Sequence, residues 1–300
     1  MEALCHELSS QARDIAKAAR ALQSIGFQIE VSPVSGYRYV VSAEPLWAEL
    51  LKPQGCRLLG RQIKVVQTTT STNDLAREAA SDRNNDGLVI FSEFQTAGRG
   101  RQGASWVSPP GMNLLLSVLL FDQQPYLKPH LLTLASGLAL AQAVREATGL
   151  AAKLKWPNDL LIDSQKVGGI LVEICSLPHG VPAVIIGIGL NCNCQQADLP
   201  SAATSLREVA GQLVDRHGLG RSILKHLDEW IEICLADRQQ KVRQVYLELS
   251  DLLGRSVKLT SKGREYSGRV VDLDPFQGIL VQLDPGGVRL FTPAETTLLS

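Results

Sequence analysis

The sequence predicts an α+β protein: a central mixed sheet with an N-terminal winged helix and a C-terminal β-barrel of SH3-like size. Three observations predict this. Helical spacing near the start gives way to two short alternating segments. The middle of the chain mixes short apolar runs with one long apolar helix. From Gly254 onward, short alternating strands are punctuated by Gly263, Pro275, Gly278 and Gly286-Gly287. A chain of 300 residues exceeds one ordinary core. The expected parts are a winged helix over 1–45, a linker over 46–62, a central domain over 63–252 and the small barrel over 253–300.

Taken in order, Ala3 to Leu8 and Gln11 to Ile25 carry helical spacing, with Ile15, Ala18, Ala19 and Leu22 on one face of the second segment. Gly26 stands where a helix-ending glycine stands. Phe27–Val31 and Tyr37–Val41 alternate as strands around a turn at Pro33-Val34-Ser35-Gly36. Two helices and a two-stranded wing form a winged-helix pattern, truncated because the usual first helix is missing. Its exposed face offers Gln11, Arg13 and Lys17 to DNA, and a protein-docking module remains the alternative. Leu46–Leu59 reads as a helical connector broken by Pro53 and Gly55.

Ile63–Gln67 is a strand, and Ser71-Thr72-Asn73-Asp74 caps a helix from Leu75 to Ala80. Buried strands follow at Leu88–Ser92 and Asn113–Leu120, then a buried helix over 131–147. Leu154-Lys155-Trp156 begins a strand that breaks at Pro157-Asn158-Asp159 and resumes at Leu160. Lys166–Ile174 and Ala183–Asn191 are further strands, and helices fill roughly 205–250.

Composition excludes several classes. The apolar fraction of 45% and charged fraction of 20% are those of a soluble globular protein. Lys+Arg and Asp+Glu both number 30, so any basic site must be local. The six cysteines include no C-x-x-C, which points to reduced thiols in a cytoplasmic protein. Cys192-x-Cys194 lacks a second ligand pair, and no H-E-x-x-H occurs, so no metal site is certain. The start, Met1-Glu2-Ala3-Leu4, is acidic and lacks an apolar core, so no signal peptide is expected. Leu131–Val144 is too short to span a bilayer.

Gly98-Arg99-Gly100-Arg101-Gln102-Gly103 packs two arginines and three glycines into six residues, with Trp106 just after. Glycines allow close backbone approach, and arginines present forked donors that fit phosphate and carboxylate. It is neither a Walker A loop nor a dinucleotide fingerprint, since Ser105-Trp106-Val107-Ser108-Pro109-Pro110 opens no helix. From these residues alone it is either a solvated loop or a clasp over a small anion. Lys155, between Leu154 and Trp156 in a strand pattern, is either a snorkelling lysine at a sheet edge or a partner for an anionic ligand. Gly187-x-Gly189 reads as glycines that admit close approach across a sheet.

Gly98–Trp106, Lys155-Trp156-Pro157-Asn158-Asp159-Leu160 and Lys166-Val167-Gly168-Gly169-Ile170-Leu171-Val172-Glu173 together resemble the motifs of the biotin protein ligase family. The likeness runs over nearly the whole chain and is strongest to the bacterial bifunctional form, biotin ligase and biotin-operon repressor. It implies a central sheet like that of class II aminoacyl-tRNA synthetases. It also implies activation of biotin by ATP, with Mg²⁺, to biotinyl-5′-AMP, followed by transfer to a lysine of the biotin carboxyl carrier protein of acetyl-CoA carboxylase. It maps biotin contacts onto Ser71, Thr72, Asn73, Gln95, Arg99, Gly100, Arg101 and Lys155, and adenylate contacts onto Gly98, Arg101, Trp106 and Asn191. Catalysis falls to Lys155, Arg99 and Arg101. Asp159 is a candidate for metal or for the incoming lysine, with a plain turn role favoured. A cytoplasmic protein that dimerises through the central sheet when adenylate is bound, and operator DNA as a second partner, complete the implication. Two departures stand out: loop positions that are often basic in the family are Gln102 and Ala104 here, and the first helix of the winged module is missing. The alternatives are a mainly biotin-sensing regulator and a lipoate or octanoate ligase of the same fold.

Overall fold

A computed structural model describes residues 12–24, 29–32, 36–39, 45–121, 128–176, 182–236, 238–250, 252–274, 277–284 and 286–299. Near the start, α1 (Ala12–Ser24) precedes an antiparallel hairpin of β1 (Ile29–Ser32) and β2 (Gly36–Tyr39). Ile15 and Ala19 are buried as the helical spacing demands, whereas Ala18 is exposed. The expected helix over Ala3–Leu8, together with Gln11, lies outside the described residues.

The centre is a seven-stranded mixed sheet in the order β3-β4-β5-β9-β8-β7-β6. Its strands are β3 (Ile63–Thr69), β4 (Val89–Gln95), β5 (Leu114–Phe121), β6 (Lys153–Lys155), β7 (Asp159–Ile162), β8 (Gln165–Cys175) and β9 (Ala183–Leu190). Only β3 and β4 pair in parallel; α2 (Thr72–Ala79) crosses between them. Every residue of β5 is buried, as its apolar run, broken only by Ser117, requires in a strand covered on both faces. On one face lies α3 (Pro129–Thr148), apolar around most of its circumference, and against it α5 (Arg216–Leu235). Trp230, Ile231 and Cys234 are buried there, and Trp230 Nε1 donates to Gln142 at 2.7 Å. The short α4 (Leu206–Ala210) and α6 (Gln239–Leu249) complete the layer. No described helix is long and apolar enough to cross a membrane.

Beyond α6, β10 (Ser256–Ser261), β11 (Arg264–Asp274), β12 (Gly278–Leu283), β13 (Val288–Phe291) and β14 (Thr296–Leu298) form an antiparallel sheet in the order β13-β12-β11-β10-β14. Leu259, Val270, Ile279, Val281 and Phe291 join the same contiguous apolar core as Tyr246 and Leu249 of α6.

Two expectations are corrected. Leu46–Leu59 holds one 3₁₀ turn, Ala48–Leu51, and is otherwise an irregular strap. Its backbone groups are satisfied by buried side chains instead of by helix. The Asp228 carboxylate accepts from Arg57, Leu58 and Leu59 N–H at 2.9, 2.9 and 2.8 Å. His217 Nε2 accepts from Trp47, and Glu93, paired with Arg216 at 2.7 Å, accepts from Leu46 N–H. The segment from Leu154 is likewise no interrupted strand. The chain reverses at Trp156-Pro157-Asn158, so β6 and β7 are an antiparallel pair with Lys155 opposite Asp159.

Removing Asp228, which is 4% exposed, leaves three N–H groups without an acceptor. Asp228→Ala is expected to destabilise the protein by about 3 kcal/mol, and Asp228→Asn by less, in urea unfolding.

Candidate active site

A cavity of about 430 Å³ opens on the sheet face opposite α3, within the range typical of small-ligand sites. Its floor is β8 and β9, where Gly169 pairs with Gly189 and Leu171 with Gly187. The glycines are required by what lies on them. A Cβ at Gly189 would sit 2.6 Å from the Trp106 ring, and one at Gly187 would sit 2.5 Å from Asn73 Oδ1. This matches the close approach expected of Gly187-x-Gly189, with side chains as the approaching groups.

The inner wall is the start of α2. Ser71 caps it, accepting from Asn73 N–H at 3.3 Å, so the helix begins three residues earlier than its apolar pattern suggests. Thr72 donates through N–H and hydroxyl to Gln95 Oε1, at 2.7 and 3.0 Å. That fixes the Gln95 amide and leaves its Nε2 as a donor at the cavity wall. The Asn73 amide is held from both ends. Its Nδ2 donates to Glu173 at 2.6 Å, and its Oδ1 lies 2.5 Å from the Ser117 hydroxyl. Ser71, Thr72 and Asn73 are all nearly buried, so their polar groups are fixed before a ligand arrives.

The arginine loop forms the rim. Gly100 N–H bonds to Ala104 O, Trp106 N–H to Gly98 O, and Gln102 takes a left-handed turn at φ 53°. Arg99 is bidentate to Asp74, at 3.0 and 2.6 Å. This pairing holds the Asp74 carboxyl below its usual range and raises Arg99 above its own. Arg101 donates to Asn158 Oδ1 at 3.2 Å and to the carbonyl of Pro293; burial lowers its pKa, opposed by the charge of Asp159. Thr297 donates to Gln102 at 2.9 Å, so the C-terminal sheet touches the rim twice.

Of the residues singled out in the sequence, Ser71, Thr72, Asn73, Gln95, Arg99, Gly100, Arg101 and Trp106 line this cavity. Gly98 sits just behind, where a Cβ would meet Trp106 O at 2.8 Å. Lys155 does not line it. It lies half-buried on β6, the outermost strand, as the sheet-edge reading has it. The lysine in the wall is Lys166, 2.7 Å from Asp159 Oδ1 and 5.6 Å from the centre of the Trp106 ring. A bulge explains the exchange. Leu160 pairs with Gly168 but Leu161 with Lys166, so Val167 is an extra residue and Lys166 shares the cavity face with Gly169. Asn191 is also outside the cavity lining; it is 3% exposed and donates to Thr204 O at 3.1 Å. Sequence reasoning gave no site role to Lys166, Asn158, Ser117 or Glu173. Arg13 and Lys17 are exposed on α1.

A rigid polar wall, a glycine floor and a cationic rim define a site for a small ligand with a neutral polar end and an anionic one. Comparisons with known proteins place it further. Residues 64–192 match the Biotin/lipoate A/B protein ligase family. The chain is similar to the Biotin--[acetyl-CoA-carboxylase] ligase of Paracoccus denitrificans, 42% identical over 238 residues, covering 76% of this chain and 96% of that one. It is similar to the Bifunctional ligase/repressor BirA of Bacillus subtilis, 28% identical over 287 residues, covering 94% and 88%. It also resembles a solved biotin protein ligase from Aquifex aeolicus in complex with biotin and ATP, with a TM-score of 0.68, 28% identity, and 79% and 98% of the two chains covered. The chain belongs to the biotin protein ligase family and is a biotin ligase.

A methyl group at Gly187 must displace Asn73, whose amide is already held at both ends. Gly187→Ala is expected to weaken biotin binding by roughly tenfold or more, about 1–3 kcal/mol, without unfolding the protein. Isothermal titration with biotin, beside a thermal melt, reads both.

Proposed function

We propose that this cavity activates biotin with ATP to biotinyl-5′-AMP and delivers the biotinyl group to a lysine of a biotin carboxyl carrier protein. The observation that carries the reading is the meeting of Arg101 and Lys166 at one cavity whose inner wall is built of neutral polar side chains held in place by hydrogen bonds. The ureido ring goes to Ser71, Thr72, Asn73 and Gln95, which offer neutral donors and acceptors. The carboxylate lies toward Lys166 and Arg101, and the adenine toward Trp106.

The reaction brings two anions together, the biotin carboxylate and the α-phosphate. Their repulsion is on the order of 4 kcal/mol at close range and intermediate dielectric. Arg101 and Lys166 offset it, and they do so best in the transition state, where the charge is concentrated on the transferring oxygens. Arg99 acts one step back, because its guanidinium is committed to Asp74 and ties the rim to α2. The rim orders over the mixed anhydride and excludes water.

Mg²⁺ would enter with ATP and would supply charge neutralisation of the triphosphate. The carboxylates near the cavity are each engaged, Asp74 by Arg99, Glu173 by Arg77 and Asp159 by Lys166. Among the described residues no three ligand-type side chains converge on a metal position. The fuller organisation belongs to the same proposal: a winged helix over 1–45, a linker over 46–62, a catalytic domain over 63–252, an SH3-like module over 253–300, a cytoplasmic location, and a dimer formed through the central sheet when adenylate is bound.

Lys166→Ala and Arg101→Ala are each expected to lower pyrophosphate release from biotin and ATP by roughly 10²–10³. Lys155→Ala is expected to lower it less than either, since Lys155 stands one strand further out than Asp159 and does not line the cavity. The reverse order of Lys155 and Lys166 refutes the assignment.

A second reading is transcriptional repression. It is favoured by the similarity to bifunctional ligase/repressors over 94% of this chain, N-terminal part included, and by the exposed Arg13 and Lys17 on α1. A gel shift with biotin-operator DNA is expected to show a complex that strengthens with biotinyl-5′-AMP. Arg13→Ala with Lys17→Ala should weaken it and flatten its salt dependence.

A further inference from the structure

We infer that Asp159 is the group that receives the acceptor lysine in the transfer half-reaction; this rests on the ligase reading above. The acceptor amine of the carrier has an ordinary pKa of about 10.4, so it arrives as an ammonium ion and cannot attack until it loses a proton. A carboxylate at the cavity edge is the group suited to steer it and take that proton.

The carboxylates around the site differ in how far they are occupied. Both oxygens of Asp74 bond to Arg99, and one also to Thr70. Glu173 receives Asn73 on one oxygen and Arg77 on the other. Asp159 differs. Its Oδ1 is shut off from solvent and accepts no hydrogen bond, although Lys166 Nζ lies 2.7 Å away. The contact is a close ion pair that is out of line for hydrogen bonding. An oxygen paired in charge but given no hydrogen bond can still accept one. The side chain is 23% exposed overall, so the group can be reached from outside.

The pairing is therefore a holding position. With biotinyl-5′-AMP bound, Lys166 turns to the ligand's acyl and phosphate oxygens and its ion pair with Asp159 opens, leaving Arg101 as a more distant charge acting on Asp159. The incoming ammonium replaces Lys166 and donates the missing hydrogen bond. One ammonium proton passes to the Asp159 carboxylate and from there to solvent. The amine lone pair attacks the acyl carbon and the C–N bond forms. The bond from that carbon to the bridging phosphate oxygen breaks, its electron pair stays on the oxygen, and AMP leaves.

Preformed biotinyl-5′-AMP is supplied to the enzyme with EDTA, so that neither ATP nor metal takes part. Transfer is measured to a biotin carboxyl carrier domain and, separately, to hydroxylamine, which is uncharged near neutral pH. In Asp159→Asn the ratio of carrier rate to hydroxylamine rate is expected to fall by about 10² at pH 7.5. The deficit should shrink as pH approaches that of free lysine, and Asp159→Glu should restore part of the ratio. An equal fall in both rates, or a deficit that does not change with pH, overturns the assignment; it leaves a structural role, or proton transfer to the leaving phosphate. A wild-type chain that transfers biotin to neither acceptor refutes the ligase reading instead.

Discussion

Side chains are missing from one face of the sheet at Gly169, Gly187 and Gly189, and the rest of the site is fitted to that gap. In a sheet buried on both faces, apolar residues normally fill both. Here the α3 face is filled by Ile170, Ile186 and Ile188, while the opposite face is left bare over paired glycines. Trp106 and Asn73 occupy the space that Cβ atoms would claim. One therefore brings the end of the arginine loop onto the sheet, and the other brings in the start of α2. Neither contact survives a larger residue beneath it, so the cavity's shape is decided by backbone and not by the loops that surround it.

Charge is arranged on this frame with little left loose. Arg99 faces Asp74, Lys166 faces Asp159, and Arg101 is held by the neutral oxygens of Asn158 and Pro293. Among the described residues Arg101 thus has no carboxylate in direct contact, and burial lowers its pKa. A half-buried cation held by neutral acceptors gains more from an arriving anion than one already paired with a carboxylate. The C-terminal sheet contributes through Pro293 and Thr297, and the strap over 45–62 is anchored to α5 and β4, the latter through Glu93, close to Gln95. Both outer parts of the chain are in this way joined to elements that carry the site.

Much of this was legible in the sequence because it is local. Ser71, Thr72 and Asn73 had to cap a helix, and the glycine–arginine segment ahead of a tryptophan was open to being a solvated loop or a clasp over a small anion. The buried strand β4 followed from the short apolar run at Leu88–Ser92. The lysine was not legible. Strand alternation places Lys166 with Gly168 and Ile170, on the α3 face, and only the bulge at Val167 turns it to the cavity. Lys155 drew notice because a lysine in an apolar strand looks buried, but the reversal at Pro157 puts that strand at the sheet edge. Asn191 lies outside the cavity lining, and its amide donates to the Thr204 carbonyl within the fold. The strap had helical composition, yet the carboxylate that organises it, Asp228, lies far along the chain and had no local signal.

The central claim is that Lys166, released from Asp159, and Arg101 hold the acyl–phosphate end of the adenylate above the glycine floor. A crystal structure with biotinyl-5′-AMP bound tests it most directly. The account predicts Lys166 Nζ and an Arg101 nitrogen within about 3 Å of the ligand's acyl or phosphate oxygens, with the adenine against Trp106. Lys155 in that position, with Lys166 still on Asp159, contradicts it.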